Sequence, residues 1–303
     1  MNATAATVGM DRPTLKTWVM AARPKTLTAA LVPVLVGTAL AHGLGVGRWL
    51  PALMALVGAM FIQVGTNLTN DYYDFKKGAD TEERLGPVRV TQSGLISPGM
   101  VLASAVGCFG LAVVTGIYLV VVGGWPIVAI GLASVAAGYA YTGGPFPLAY
   151  HGLGDVFVFV FFGLVAVTGT YYVQALEVGA AAWWAAIPVG ALGTALLVVN
   201  NLRDASTDVK AGKRTLVVRL GTGAGKAEYV LLLVASYATP LAMWGLGLAS
   251  PWVLLALLSA PLAVPPLRLV LGEQGAALNP ALGGTARLQL VFGLLFSLGL
   301  YLR

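Results

Sequence analysis

Nine apolar stretches of roughly 20 residues, separated by short polar segments, constrain this chain more than any other feature. Hydrophobic residues make up 58% of its 303 residues and charged residues only 10%. Because a helix needs roughly 20 apolar residues to cross a bilayer, the sequence predicts an all-α polytopic membrane protein. We expect a single domain over residues 1–303, with an interfacial N-terminal segment over 1–24. The predicted spans are about 25–46, 50–70, 99–122, 124–143, 154–177, 182–203, 227–248, 252–271 and 284–302.

The positions of the positive charges predict the orientation of these spans. With the N-terminus in the cytoplasm, all but two of the 18 Lys and Arg residues fall on the cytoplasmic side, the exceptions being Arg48 and Arg303. Cytoplasmic loops carry such an excess of Lys and Arg. We therefore predict a multi-pass protein of the inner (plasma) membrane. Trp18 and Arg12 favour an interfacial start of the chain. No nucleic-acid-binding motif accompanies the charge, so we predict no nucleic-acid partner.

Four polar residues mark the cytoplasmic end of the second predicted span. The segment NLTNDYYDFKKGAD, residues 67–80, places Asn67, Asn70, Asp71 and Asp74 at positions i, i+3, i+4 and i+7. Side chains at these intervals lie on one face of a helix. Ionisable groups at membrane depth are costly, so this face is a candidate functional site.

A second polar cluster repeats the pattern at the end of the sixth predicted span. In the segment VVNNLRDASTDVKAGKRT, residues 198–215, the one-face spacing is shared by Asn200, Asn201, Asp204 and Asp208. Spans two and six run in the same direction across the membrane. The two acidic faces are therefore expected to open on the same side.

Both clusters present only oxygen ligands, and this predicts the kind of metal. Oxygen ligands suit a hard cation such as Mg²⁺, which typically bridges a few carboxylates to substrate phosphates. Crowded carboxylates also repel one another unless a cation lies between them. We predict a Mg²⁺ site, in which Mn²⁺ can substitute, that holds a diphosphate. The predicted catalytic residues are Asp71, Asp74, Asp204 and Asp208; the predicted metal ligands are these four with Asn70 and Asn200.

Basic residues follow each acidic cluster. Lys76, Lys77 and Arg89 come after the first cluster, and Lys213 and Arg214 after the second. Charge-assisted hydrogen bonds from such residues would neutralise the diphosphate oxygens that the metal leaves free. Lys213 and Arg214 lie next to the metal cluster and are the stronger candidates.

A diphosphate site at the face of an apolar interior indicates a prenyl diphosphate as substrate. The sequence contains no Ser-His-Asp set and no P-loop, and its only histidines are His42 and His151. The alternative from another class is a transporter or divalent-cation channel, in which the carboxylates would bind the transported ion. That alternative explains acids within a membrane but not the basic loops beside them.

In these clusters the sequence resembles the UbiA-type membrane prenyltransferase superfamily, and especially its branch that uses 1,4-dihydroxy-2-naphthoate. The superfamily carries Asn-Asp-x-x-Asp and Asp-x-x-x-Asp motifs as metal-diphosphate sites. Here they fall on Asn70, Asp71 and Asp74, and on Asp204 and Asp208. The stretches that resemble the family are 22–41, 67–98, 141–155 and 200–221, of which 67–98 is specific to the naphthoate branch.

The resemblance implies a fold and a reaction. The fold is nine helices around a central cavity that opens laterally to membrane lipid. The reaction transfers the polyprenyl group of a polyprenyl diphosphate to 1,4-dihydroxy-2-naphthoate, with loss of CO₂ and diphosphate, giving demethylmenaquinone. Mg²⁺ and cationic side chains would stabilise the departing diphosphate. An apolar cavity would shield the allylic cation from water.

Further candidates for substrate binding follow from this reaction. Tyrosine rings near the ends of the spans are expected to stabilise the allylic cation by cation–π contact. These are Tyr72, Tyr73, Tyr139 and Tyr141. The stretches that resemble the family also contribute Arg23, Lys25 and Asn67 to substrate binding.

The sequence leaves the acceptor open. Many superfamily members carry a further acid where this chain has Gly78, and several carry a lysine in the loop after span four, which this chain lacks. The alternatives for the residue that contacts the acceptor are His151, Tyr141 and Asp80. The alternative acceptors are homogentisate, 4-hydroxybenzoate and a porphyrin.

Overall fold

A computed structural model describes residues 13–80 and 84–302, and within these ranges it contains helices and no β-strand. Arg12 of the expected interfacial segment lies outside the described residues. The described part of that segment forms a short helix, Leu15–Ala22. The nine helices that follow are α1 (Pro24–Gly43), α2 (Trp49–Lys76), α3 (Pro98–Gly123), α4 (Trp125–Ala140), α5 (Gly154–Ala175), α6 (Ala180–Lys210), α7 (Thr222–Gly245), α8 (Pro251–Gly272) and α9 (Gly275–Tyr301).

These nine helices correspond one to one with the nine predicted spans, so the predicted all-α membrane fold is confirmed. Within the described ranges, eight of them are long and apolar enough to cross a membrane. The remaining helix, α4, has 16 residues. At 1.5 Å per residue it spans only about 24 Å. It begins directly after α3, where Gly124 adopts a positive φ of 72° that permits the sharp reversal.

Helices α2 and α6 extend beyond their predicted spans. They contain 28 and 31 residues and end at Lys76 and Lys210, whereas the apolar runs end near residues 70 and 203. Hydropathy marks where the side chains stop being apolar, but the backbone hydrogen bonds of a helix continue through polar turns. Both acidic clusters therefore lie on helix, as their spacing requires.

Helix α6 forms the centre of the bundle. Its Ala-, Val- and Gly-rich sequence is largely buried, and it packs against α1, α5, α7 and α9. Helix α3 packs mainly against α2 and exposes many apolar side chains, such as Val113 and Ile117. An apolar exposed face is what a helix at the lipid boundary requires. The central position of α6 places its acidic end inside the bundle.

Small residues allow α5 and α6 to pack closely. A Cβ atom on Gly163 would lie 2.6 Å from the Cα of Gly190, and one on Gly190 would lie 2.9 Å from the carbonyl oxygen of Phe159. The contact falls on a π-helical segment of α5, Phe159–Val165. Glycines at helix interfaces in membranes permit this backbone approach.

Replacing Gly190 by valine is expected to destabilise the folded protein by about 1–3 kcal/mol, because the added methyl groups overpack this contact. The measurement is the thermal unfolding midpoint in detergent. Gly110→Val on α3 is the matched control, since a Cβ there meets nothing within 4 Å. Equal midpoints for the two variants would contradict the close packing.

Candidate active site

The acidic residues of α2 are buried and hydrogen-bonded. Asp71 is 1% exposed, and one of its carboxylate oxygens accepts a hydrogen bond from the backbone N–H of Thr91 at 3.0 Å. Asp74 is 5% exposed and accepts a 3.0 Å bond from the Tyr150 hydroxyl. These partners come from two different loops. The loops after α2 and α4 therefore both fold onto the acidic end of α2.

Arginines from the loop after α2 neutralise the buried carboxylates. Arg89 Nη2 lies 3.2 Å from Asp74 Oδ2, and Arg89 Nε lies 3.3 Å from Asp80 Oδ2. Arg84 pairs with the other oxygen of Asp80. Burial raises the pKa of the Asp80 carboxyl to about 6, although Arg84 opposes that rise. Arg89 Nη1 is buried and has no hydrogen-bond partner among the described residues.

Arg23 joins the start of α1 to α2. Its φ of 53° is in the left-handed region, where a residue other than glycine is strained. Its guanidinium donates to the Asn67 carbonyl oxygen at 3.2 Å and lies 3.9 Å from Asp71 Oδ2. The Asn67 side chain in turn donates to the Ala22 carbonyl oxygen at 2.9 Å. The strained turn thus fixes a cation beside the first acidic cluster.

The acidic residues of α6 are paired with neighbouring cations. Arg203 donates to both oxygens of Asp204, at 2.8 and 2.7 Å. Asp208 Oδ1 lies 3.6 Å from Lys213 Nζ. Asp208 Oδ2 is buried and has no hydrogen-bond partner among the described residues. This oxygen is available as a ligand.

Lys213 and Tyr150 lie between the two clusters. Burial lowers the pKa of Lys213, but the carboxylates of Asp208, Asp74 and Asp204 outweigh that effect and raise it overall. Burial, with Asp74 as the next cause, raises the pKa of Tyr150, so its hydroxyl stays protonated. Lys213 pairs with Asp208 of α6 and lies 6.0 Å from the centre of the Tyr150 ring, whose hydroxyl donates to Asp74 of α2. These contacts connect the two acidic helix ends.

Two adjacent cavities lie beside these helix ends. A cavity of about 240 Å³ is lined by Arg23, Asn67 and Asn70, and also by Tyr141 and Asn200. It connects the polar end of α2 with that of α6. We call it the polar cavity.

The second cavity, which we call the apolar cavity, has a volume of about 720 Å³ and lies among α2, α3, α4 and α5. Both cavities are lined by Ile62, Ser134 and Phe161, so they share a wall. Exposed side chains such as Ile117 and Leu132 belong to the lining of the apolar cavity. That cavity therefore reaches the outer, lipid-facing side of the bundle.

The predicted metal ligands suit a cation that also binds phosphate. Within the described ranges, no three Asp, Glu, His or Cys side chains lie close enough to hold a metal by themselves. Mg²⁺ needs only one or two carboxylates when it keeps water ligands and binds substrate phosphates. The unpartnered oxygen of Asp208 and the carboxylates of Asp71 and Asp74 meet that requirement. The oxygen-only set fits Mg²⁺.

Several predicted substrate-binding residues lie at the edge of the site. Lys25, Lys76 and Arg214 are exposed. The Lys76 ammonium lies 5.7 Å from the centre of the Tyr72 ring. Lys77 is exposed as well, but its Nζ lies 4.6 Å from the centre of the Tyr150 ring and donates to the Thr142 carbonyl oxygen at 2.6 Å. These contacts favour Lys77, with the buried Arg89 and with Lys213, over the other cations.

The predicted tyrosines divide between the cavities. Tyr141 lines the polar cavity, and its pKa is raised by burial first and by Asp155 next. Tyr139 lines the apolar cavity, and its hydroxyl lies 2.7 Å from that of Tyr73. These rings therefore occupy both sides of the shared wall.

The candidates for the acceptor contact differ in their surroundings. His151 stacks on Phe146 with ring centres 3.8 Å apart, and its Nδ1 lies 2.9 Å from the Pro147 carbonyl oxygen. Asp80 is held between two arginines. Tyr141 alone of the three lines the polar cavity. This geometry favours Tyr141.

Sequence reasoning missed four groups that bind the predicted ligands. These are Tyr150, the backbone N–H of Thr91, Arg203 and the Thr142 hydroxyl. The Thr142 hydroxyl donates to Asn70 Oδ1 at 2.7 Å. Tyr150 lies in a stretch, 141–155, whose family resemblance was a usable signal. A backbone donor such as that of Thr91 carries no signal in its residue type.

The fold and the site together define a polytopic membrane protein with two acidic helix ends beside a polar cavity. Residues 30–291 match the UbiA prenyltransferase family, and the chain belongs to that family. The resemblance inferred from the acidic motifs is thus confirmed. Family membership favours an enzyme over the transporter alternative.

Curated relatives match over nearly the whole chain. The 1,4-dihydroxy-2-naphthoate octaprenyltransferase of Mycobacterium tuberculosis is 42% identical over 91% of this chain and 94% of its own. The protein of the same name from Escherichia coli is 40% identical over 94% of this chain and 95% of its own. A Synechocystis 2-carboxy-1,4-naphthoquinone phytyltransferase is 31% identical over 84% of this chain and 82% of its own.

Solved structures share the fold at low sequence identity. A UbiA homologue from Archaeoglobus fulgidus, bound to GPP and Mg²⁺, superposes with a TM-score of 0.61 at 17% identity, covering 92% of this chain and 99% of its own. An apo UbiA homologue from Aeropyrum pernix has a TM-score of 0.67 at 13% identity, covering 88% of this chain and 96% of its own. The predicted fold class is confirmed by this agreement.

Proposed function

We propose that this protein is a Mg²⁺-dependent prenyltransferase that transfers a polyprenyl group from polyprenyl diphosphate to 1,4-dihydroxy-2-naphthoate. The observation that carries the proposal is the meeting of two acidic helix ends around Lys213 and Tyr150, beside a polar cavity that adjoins an apolar one. Relatives that bear this activity in their names support the choice of acceptor.

The polar residues would hold and neutralise the diphosphate. Mg²⁺, when bound, supplies positive charge to the departing diphosphate oxygens. Asp71, Asp74 and Asp208 would provide its protein ligands, and Asp204, held by Arg203, would complete the second acidic cluster beside it. Arg89 supports this assignment because its buried Nη1 still has a hydrogen bond to donate. Lys213 would add an ammonium group at the same place.

The apolar residues would protect the carbon that reacts. As the C–O bond to diphosphate breaks, the electron pair leaves with the diphosphate and positive charge develops on the prenyl C1 carbon. A ring carbon of the acceptor donates the electron pair for the new C–C bond, and the acceptor carboxylate leaves as CO₂. Phe161 in the shared wall would help to exclude water from that carbon. The rings of Tyr73 and Tyr139 would stabilise the charge by cation–π contact.

Tyr141 would orient the acceptor. Because its raised pKa keeps it protonated, its hydroxyl is a hydrogen-bond donor and not a base. It lines the polar cavity together with Asn70. A hydroxyl or carboxylate of the aromatic ring would accept that hydrogen bond.

The proposal is tested by turnover in detergent with radiolabelled geranyl diphosphate. We expect labelled product and CO₂ with 1,4-dihydroxy-2-naphthoate, and little product with homogentisate or 4-hydroxybenzoate. Preference for another acceptor would reassign the substrate within the family. Metal-ion transport that requires a sealed membrane, without product in detergent, would favour the transporter alternative.

The acidic clusters are expected to face the cytoplasm, so cysteines near both should react from one side. In a Cys108→Ala background, Ser93→Cys after α2 and Ser206→Cys on α6 replace exposed residues. A membrane-impermeant thiol reagent should label both in inside-out vesicles. The positive-inside distribution of charge is the reason.

Ala180→Cys at the start of α6 is the control for this experiment, since it is exposed at the opposite end of that helix. It should be labelled only in right-side-out vesicles. Labelling of Ser93→Cys and Ser206→Cys from opposite faces would mean that the two clusters cannot share one diphosphate.

A further inference from the structure

Asn279 connects the loop after α2 to α6. It lies at the start of α9, outside the acidic clusters. Its amide nitrogen donates to the Leu85 carbonyl oxygen at 2.9 Å, and its amide oxygen accepts from Arg203 Nη1 at 3.2 Å. One side chain thus contacts the loop through its donor and α6 through its acceptor.

Arg203 transmits this contact to a predicted metal ligand. Its side chain is 2% exposed, and it donates to both oxygens of Asp204. Adjacent residues on a helix do not share a face, so Arg203 must bend back to make this pair. A buried guanidinium needs partners for its donors. Asn279 supplies one, and this fixes the plane in which Arg203 holds Asp204.

The loop also packs directly on Arg203. A Cβ atom at Gly86 would lie 2.7 Å from Arg203 Nη2 and 2.9 Å from its Cζ. The backbone therefore crosses close to the guanidinium, and a larger residue at position 86 would displace it. The same loop carries Arg89 to Asp74 on α2. Its position is consequently linked to both acidic helix ends.

We propose that Asn279 is a positioning residue that couples the placement of the loop after α2 to the orientation of Asp204. The inference rests on the proposed function, in which Asp204 takes part in binding diphosphate through Mg²⁺. Loss of Asn279 frees the Leu85 carbonyl and removes a restraint on Arg203 at the same time. Diphosphate binding and closure of the loop then favour each other, since coupling between two sites is reciprocal.

The test compares Asn279→Ala with Gln274→Ala in the full-length protein in detergent. Gln274 is an exposed residue shortly before α9 and serves as the matched control. One readout is tryptic cleavage of the Arg84–Leu85 bond, with and without Mg²⁺ and geranyl diphosphate. The other is the KM for geranyl diphosphate.

In Asn279→Ala we expect cleavage to be about fivefold faster, because one hydrogen bond that closes the loop is lost. We expect the KM for geranyl diphosphate to rise by about the same factor. The protection that Mg²⁺ and geranyl diphosphate give against cleavage should be smaller than in the wild type. Gln274→Ala should match the wild type in all three measurements.

Asn279→Asp separates the hydrogen bond to Leu85 from the hydrogen bond to Arg203. A carboxylate keeps an acceptor for Arg203 but loses the donor to the Leu85 carbonyl. Cleavage should be as fast as in Asn279→Ala and protection by Mg²⁺ and geranyl diphosphate equally reduced, while the KM rises less. This variant also decides the question if Asn279→Ala fails to fold.

Two results would overturn the proposal. If both Asn279 variants had the cleavage rate and the KM of the wild type, Asn279 would have no positioning role. Faster cleavage with an unchanged KM in Asn279→Ala, or with unchanged protection by Mg²⁺ and geranyl diphosphate in either variant, would leave Asn279 as a loop anchor without coupling. The acceptor assignment can fail independently of this proposal. Geranyl diphosphate could protect the wild type against cleavage more than it protects Asn279→Ala, while 1,4-dihydroxy-2-naphthoate is not prenylated. The coupling would then stand and the acceptor would be wrong.

Discussion

Asp74→Asn is expected to lower kcat/KM by about a hundredfold to a thousandfold, the usual cost of removing one group that stabilises developing charge. Asparagine keeps the shape of the side chain and can still accept the hydrogen bond from Tyr150. It removes the negative charge that a metal ligand must supply and that Arg89 pairs with at 3.2 Å. The loss should therefore appear in turnover, with insertion and purification unchanged. The measurement is the rate of prenyl transfer at saturating Mg²⁺.

Glu177→Gln provides the matched control for Asp74→Asn. Glu177 is an exposed carboxylate between α5 and α6, at the end of the bundle away from the acidic clusters. Its loss of charge should leave the rate unchanged. If Asp74→Asn had the wild-type rate, Asp74 would not be a ligand of the metal.

Chelation by EDTA is expected to abolish turnover, and added Mg²⁺ or Mn²⁺ to restore it. The predicted ligands are all oxygen atoms, which these hard cations prefer. The fold should survive, because packing of the apolar helices does not depend on the cation. The measurement is the rate of prenyl transfer before chelation, after it and after readdition, together with the thermal unfolding midpoint.

Zn²⁺ serves as the control cation, since it prefers nitrogen and sulfur ligands and should restore little activity. Full activity after thorough chelation would contradict a metal-assisted reaction. Loss of the folded state in EDTA would instead indicate a structural metal.

Periodicity and charge predicted the elements of the site but not the contacts between them. The spacing of Asp71 with Asp74 and of Asp204 with Asp208 placed each pair on one helix face, because a helix has a fixed repeat. The parallel direction of spans two and six then indicated convergence. Lys213 lies 3.6 Å from Asp208, and the carboxylates of both helices raise its pKa.

The contacts that the sequence did not reveal depend on the paths of loops. Thr91 acts through its backbone N–H, which every residue other than proline possesses. Asn279 reaches Leu85 across 194 positions of sequence. Arg203 had the appearance of an ordinary cytoplasmic cation, yet it is buried against Asp204. Partners of this kind are set by tertiary packing, and a single sequence contains no local pattern for them.

The lengths of α2 and α6 place the reaction at a boundary between two solvents. At 1.5 Å per residue they extend about 42 Å and about 46 Å, whereas the hydrocarbon layer is only about 30 Å thick. Their acidic ends therefore reach the aqueous side, while the apolar cavity adjoins hydrocarbon. In the proposed reaction the diphosphate dissolves in water and the prenylated ring partitions into lipid. Each product is diluted into a phase that excludes the other, so the two products seldom meet again and the reverse reaction is suppressed.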